Sequence, residues 1–147
     1  MNILKKIGIG VVLILTSISA NAEFKSLTKS EIKCLTNLAY YEARGESTKG
    51  MIATIYVVLN RVKDSRFPNT PCSVISEPRQ FSWYGKGYTV KEPELYERSK
   101  AVVRDVLNGK HVDYSRGALY FVHVKINRNW LEKLTYTCTI GNHKFFK

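Results

Sequence analysis

The chain is short of acid: 12 aspartates and glutamates stand against 23 lysines and arginines, a formal charge of +11 over 147 residues. Such an excess excludes no fold, but it favours an anionic partner, whether wall polymer, lipid headgroup or nucleic acid. Cysteine is scarcer still, with only Cys34, Cys72 and Cys138 and no CxxC pair, so no structural zinc site is expected. In an oxidising compartment two of the three can bridge, leaving an odd thiol, and the sequence does not rank the three pairings. His111, His123 and His143 lie far apart with no HExxH, and no metal or other cofactor is expected. No GxSxG elbow supports a serine nucleophile. A cysteine on a helix, as at Cys34, reads as a disulfide half or core residue before it reads as a nucleophile. No element carries the interleaved basic and aromatic pattern of a nucleic-acid binder, so nucleic acid is not the expected partner.

Long apolar runs are missing everywhere except at the start, MNILKKIGIGVVLILTSISANA. There Lys5 and Lys6 precede an apolar stretch over 7–15 and an Ala-Asn-Ala site at 20–22, the order of a secretory signal. The stretch is too short to span a bilayer reliably. Residues 1–22 are therefore read as a signal peptide and 23–147 as one domain, secreted or periplasmic. Without Lys5 and Lys6 the domain keeps a charge of +9. That length supports one core.

Thr28-Lys29-Ser30-Glu31 predicts a capping box opening a helix. Ile32, Leu35 and Ala39 then mark a buried stripe, and its next step reaches Glu42. Gly45 is the expected stop. A second helix is predicted from Ser47 or Thr48 to about Val62, with Met51, Ile55, Val58 and Val62 inward and Ile52 and Leu59 widening the stripe. Segment 64–92, rich in proline, glycine, serine and aromatics, reads as a long loop region, and such loops usually carry function. A third helix runs from Pro93 through Val102, Val103, Val106 and Leu107 to the stop at Asn108-Gly109. Segments 118–124 (ALYFVHV) and 134–140 (LTYTCTI) have strand composition. Helices followed by a small sheet make an α+β fold.

The stretch YYEARGES at 40–47 holds two carboxylates with different surroundings. Glu42 continues an apolar stripe; burial raises a carboxyl pKa, and a general acid for glycosidic cleavage needs that. The competing reading is a buried glutamate paired with Arg44 or Arg61. Glu46 lies beside the next helix's start, where the helix dipole favours the anion, so it suits a supporting role, orienting Arg44 or stabilising the turn. Gln80, Ser82, Trp83 and Tyr84 in QFSWY mix polar groups with aromatic faces, which suits sugar rings. Phe81 and Trp83 can equally be core anchors. Asn60 either caps the second helix or projects toward Glu42.

The pattern YEARGE at 41–46, Gly50, VVLNRV at 57–62, Phe67-Pro68, CSVI at 72–75, QFSW at 80–83, residues 118–130 and IGNHKFF at 140–146 resembles the SleB-like (spore-cortex-lytic) cell wall hydrolases. That resemblance implies a lysozyme-like domain related to lytic transglycosylases, acting on peptidoglycan glycan strands between N-acetylmuramic acid and N-acetylglucosamine. It places the catalytic glutamate at Glu42; Arg44, Glu46, Asn60, Gln80, Ser82, Trp83 and Tyr84 are the candidate substrate contacts beside it. One carboxylate would serve as acid and then as base while the muramic 6-hydroxyl closes an anhydro ring. No cofactor and a monomer are expected, and contact with the anionic envelope is expected through the domain's own charge, with no separate wall-binding domain read in the sequence. Many members have histidine where this chain has Val122, leaving the role of His123 open. Many have cysteine where this chain has Arg79, so Cys72 pairs with Cys34 or Cys138 or stays free. The alternative from another class is a non-enzymatic cell-wall binder.

Overall fold

A computed structural model describes residues 27–147; the signal-peptide reading lies outside them. Four helices come first: α1 (Lys29–Ala43), α2 (Thr48–Lys63), α3 (Pro71–Ile75) and α4 (Pro93–Leu107). Strand β1 (Tyr120–His123), a 3-10 turn (Asn129–Lys133), β2 (Tyr136–Ile140) and β3 (His143–Phe146) follow. The fold is α+β and lysozyme-like.

The capping box forms as read. Thr28 Oγ1 accepts from the Glu31 amide at 3.2 Å, and Glu31 accepts from the Thr28 amide at 2.7 Å, so two of the helix's orphan donors are met locally. Ser47 caps α2 by accepting from the Gly50 amide at 3.2 Å. Helix α1 stops just before Gly45, as expected, but without a left-handed glycine cap. Arg44 caps it in the right-handed region, and Gly45, with no positive φ and open space where a Cβ would stand, has no conformational role that only glycine could fill.

Helix α2 is buried over more than its predicted stripe. Met51, Ile52, Ile55, Val58 and Leu59 join α1 and α4 in the main core. Ala53 and Val57, on the other side, pack on Ala118 and Phe145. The helix lies between the other helices and the sheet, which is why neither face is polar.

Segment 64–92 is not wholly irregular. Thr70 caps α3, with Pro71 in its first turn, and Cys72 is bonded to Cys34 of α1 across a Cα–Cα distance of 5.4 Å. This settles the open pairing. Cys138 is the free thiol, half-buried, its Sγ 3.5 Å from the Tyr114 carbonyl.

The sheet has a third strand beyond the two read from composition. Its order is β1-β3-β2, all antiparallel, with β3 central. Gly141 and Asn142 form a two-residue turn between β2 and β3, with Gly141 at φ +55. Glycine at the first position of such a turn supplies the backbone twist that hairpins need. In this register His123 faces His143.

Candidate active site

Glu42 sits in the last turn of α1, half-buried, where the helix face passes from core to surface. Its Oε1 accepts a hydrogen bond from Trp83 Nε1 at 2.7 Å. Burial pushes its pKa up, and the indole bond, which favours the anion, opposes part of that rise. No arginine forms an ion pair with it among the described residues. Arg44 turns away to Glu92, Nε to Oε2 at 2.6 Å, with its guanidinium over the Tyr40 ring. Arg61 is buried, donating Nε to the Leu119 carbonyl at 2.6 Å and Nη1 to Gln80 Oε1 at 2.9 Å. It is held between the Phe67 and Tyr120 rings.

Two hollows meet at Glu42. One, of about 360 Å³, is walled by Arg61, Arg79, Gln80, Tyr120 and Trp130 among others. The other, of about 330 Å³, is walled by Tyr41, Arg44, Glu46, His123, Asn142 and His143. Glu42 is the residue they share. Beside Glu42, Trp83 stacks on Tyr41 at 5.0 Å, with Tyr84 and Tyr88 edge-on or tilted around it. Tyr84 and Tyr88 are exposed, so the cluster offers aromatic surface beside a carboxyl group, as sugar-binding clefts require.

Glu46 is tied across the chain. Its Oε2 accepts from the Asn142 amide at 3.1 Å and its Oε1 from Asn142 Nδ2 at 3.0 Å. A Cβ at position 141 would overlap the Glu46 carboxylate, so glycine is required there for approach as well as for backbone.

The structure thus gathers Glu42, Arg44, Glu46, Gln80, Trp83 and Tyr84 in one region. It does not bring Asn60 there. Asn60 Nδ2 donates to Asp113 Oδ2 at 2.9 Å and to the Ala118 carbonyl at 3.1 Å, on the face that borders a separate hollow with Lys63 and Arg66. Ser82 is exposed and lines neither hollow at Glu42. Phe81 is 8 % exposed and belongs to the core.

The profile of the Cell Wall Hydrolase family matches residues 45–146. The chain belongs to the cell wall hydrolase family. The matched span starts just past Glu42, but longer similarities cover it. A spore cortex-lytic enzyme of Oceanobacillus iheyensis is 34 % identical over 121 residues, 82 % of this chain and 42 % of that protein. The Bacillus subtilis spore cortex-lytic enzyme is 33 % identical over 119 residues, 80 % of this chain and 38 % of its own length. The chain therefore spans less than half of these relatives. Among solved structures, the catalytic domain of the germination-specific lytic transglycosylase SleB from Bacillus anthracis superposes with a TM-score of 0.72 at 34 % identity, covering 83 % of this chain and 98 % of that one. The catalytic domain of Bacillus cereus SleB gives 0.70 at 34 % identity, covering 82 % and 91 %.

Sequence reasoning did not place several residues of this candidate site: Tyr41, Tyr88, Arg79, Trp130, Asn142 and His143. The Gly-Asn pair at 141–142, flanked by strand-like residues, was the available signal for the hairpin that delivers the last two. Arg79 takes a positive φ of 65, unusual for a side chain of that size and invisible in sequence.

The Trp83 bond to Glu42 makes one expectation sharp. Trp83→Phe keeps the stacking but removes the only donor among the described residues that holds the Glu42 anion, so burial acts unopposed and the pKa rises further. If Glu42 must be protonated to act, the alkaline limb of kcat/KM moves to higher pH. A pH–rate profile with an unmoved limb would dissociate Glu42 from the rate.

Proposed function

We propose that this chain cleaves the glycan strands of peptidoglycan between N-acetylmuramic acid and N-acetylglucosamine, with Glu42 as its single acid and base. The observation that carries this is the placement of Glu42: a partly desolvated carboxyl at the junction of two hollows, under exposed aromatic rings, in a cell wall hydrolase domain. A glycan crossing both hollows would present a bridging oxygen at Glu42.

In the first step neutral Glu42 gives its proton to the leaving oxygen as the glycosidic bond breaks, and an oxocarbenium-like centre develops. The new carboxylate, steadied by the Trp83 N–H, then takes a proton from the attacking hydroxyl. In lytic transglycosylation that hydroxyl is the muramic O6, which closes a 1,6-anhydro ring and restores neutral Glu42. Two-carboxylate glycosidases use a second acid as base or nucleophile. Glu46, the carboxylate nearest in sequence, already has both oxygens engaged by Asn142, which supports a one-carboxylate route.

The same reading has residues 1–22 removed on export, a monomer working outside the cytoplasm, and a basic surface favouring the anionic envelope. Mass spectrometry of products released from purified sacculi tests the chemistry. Anhydro-muramic ends, lighter by one water than hydrolysed ends, are expected; hydrolysed ends alone would replace transglycosylation by hydrolysis, and no release would leave a wall binder.

A further inference from the structure

His143 is the one described residue with a buried side-chain nitrogen that has no hydrogen-bond partner, its Nδ1. The ring is 7 % exposed and packs edge-on against Phe121 at 5.1 Å and Phe145 at 6.3 Å. An unpaired polar atom in such a place costs the fold stability, and two phenylalanine neighbours show that an apolar ring would suit the position. Such a group calls for an explanation, and service to a site is one.

The ring nitrogens differ. Nδ1 is closed off, whereas Nε2 is not among the sealed, unpaired atoms of the described residues. Burial lowers the His143 pKa, with Glu46 opposing and His123 adding to the fall, which favours the neutral ring. A neutral imidazole has one donor and one acceptor nitrogen. Placing the proton on Nε2 leaves Nδ1 as an unmet acceptor and gives the accessible nitrogen a hydrogen to offer. His143 lines the hollow that holds Glu42, Glu46 and Asn142.

We infer that His143 is a substrate-binding residue whose Nε2–H donates to an uncharged acceptor oxygen, a sugar hydroxyl or acetamide carbonyl, on the Glu46 side of Glu42. The inference rests on the glycan reading given above. An anionic acceptor is disfavoured because the Glu46 carboxylate faces the same hollow. The ring is fixed by strand β3 and by its aromatic neighbours, so the donor is held in place before substrate arrives and little freedom is lost on binding.

Three measurements test this. His143→Phe keeps ring packing and removes both nitrogens. Its melting temperature should rise while kcat/KM on sacculi falls by about 10- to 100-fold. A structural histidine would give the reverse, stability lost and activity per folded molecule unchanged. Should the phenylalanine variant misfold, His143→Gln keeps a donor and should retain more activity than His143→Ala at equal folded concentration; equal activities would overturn the assignment. Directly, Glu42→Gln protein labelled with 15N-histidine is titrated with oligomers of alternating N-acetylglucosamine and N-acetylmuramic acid. The free protein should show the Nε2–H tautomer, and that nitrogen should shift together with the Trp83 indole signal. A Trp83 shift without a His143 shift, or an Nδ1–H tautomer, would overturn the inference while leaving glycan binding intact. Absence of cleavage by the wild type would instead remove the underlying reading.

Discussion

Glu42→Gln is expected to reduce release of glycan fragments from purified sacculi by about 10²- to 10⁴-fold, the range a general acid–base group supplies. Glutamine keeps the shape, and its carbonyl oxygen can still accept from Trp83 Nε1, so the loop stays where the wild type has it. What disappears is the transferable proton. The fold should become more stable. Because burial raises the Glu42 pKa above the ordinary 4.5, its contribution to stability is fully present below 4.5 and is lost as pH rises through the raised value. At neutral pH ionisation of Glu42 weakens the folded state, and glutamine has no proton to lose. Activity assays run beside thermal melts above and below pH 4.5 check both halves. A variant that is folded and as active as wild type would end the assignment of Glu42 as the acid.

Breaking the Cys34–Cys72 bridge should cost the domain a large share of its stability. The two residues are separated by 38 positions, and freeing a loop of that length gives the unfolded chain entropy worth about 2–4 kcal/mol. For a domain of this size that corresponds to a fall in melting temperature of roughly 10 °C. The double variant Cys34→Ser/Cys72→Ser should melt at the same temperature with or without reductant, and wild type in reductant should fall to join it. No effect of reductant on the wild type would mean that the bridge contributes nothing. The bond also pins α3 to α1 just before the loop that carries Gln80 and Trp83, so thermal loss of activity should precede global melting in the variant.

Much of the helical half was legible because its signals are local. The Thr28 box, the Ser47 cap and the apolar spacing in α1, α2 and α4 each concern residues within one or two turns. Glu42 stood out for the same reason, as the next step of a buried stripe. What was not legible depends on tertiary geometry. Asn60 and Arg61 are neighbours, yet adjacent helix positions diverge by about 100°, so Arg61 lines the Glu42 hollow while Asn60 serves Asp113. The four residues of β3 are too few, and too mixed with Lys144, for composition to reveal a central strand. His143 acquired its meaning only from the register that sets it between Phe121 and Phe145. The disulfide needed α3 to be recognised and docked before the distance could be judged.

The clamp of Glu46 on Asn142 joins positions 96 apart, and this bears on the order in which the molecule assembles. Helices whose contacts are near in sequence close early, whereas contacts between distant segments must first overcome the entropy of a long loop. Glu42 can therefore be in its helix well before one wall of its groove exists. The groove is completed only when the β2–β3 hairpin arrives against the turn after α1. Competence to turn over substrate is then a late event in folding, and recovery of catalysis after denaturation should trail recovery of helical structure.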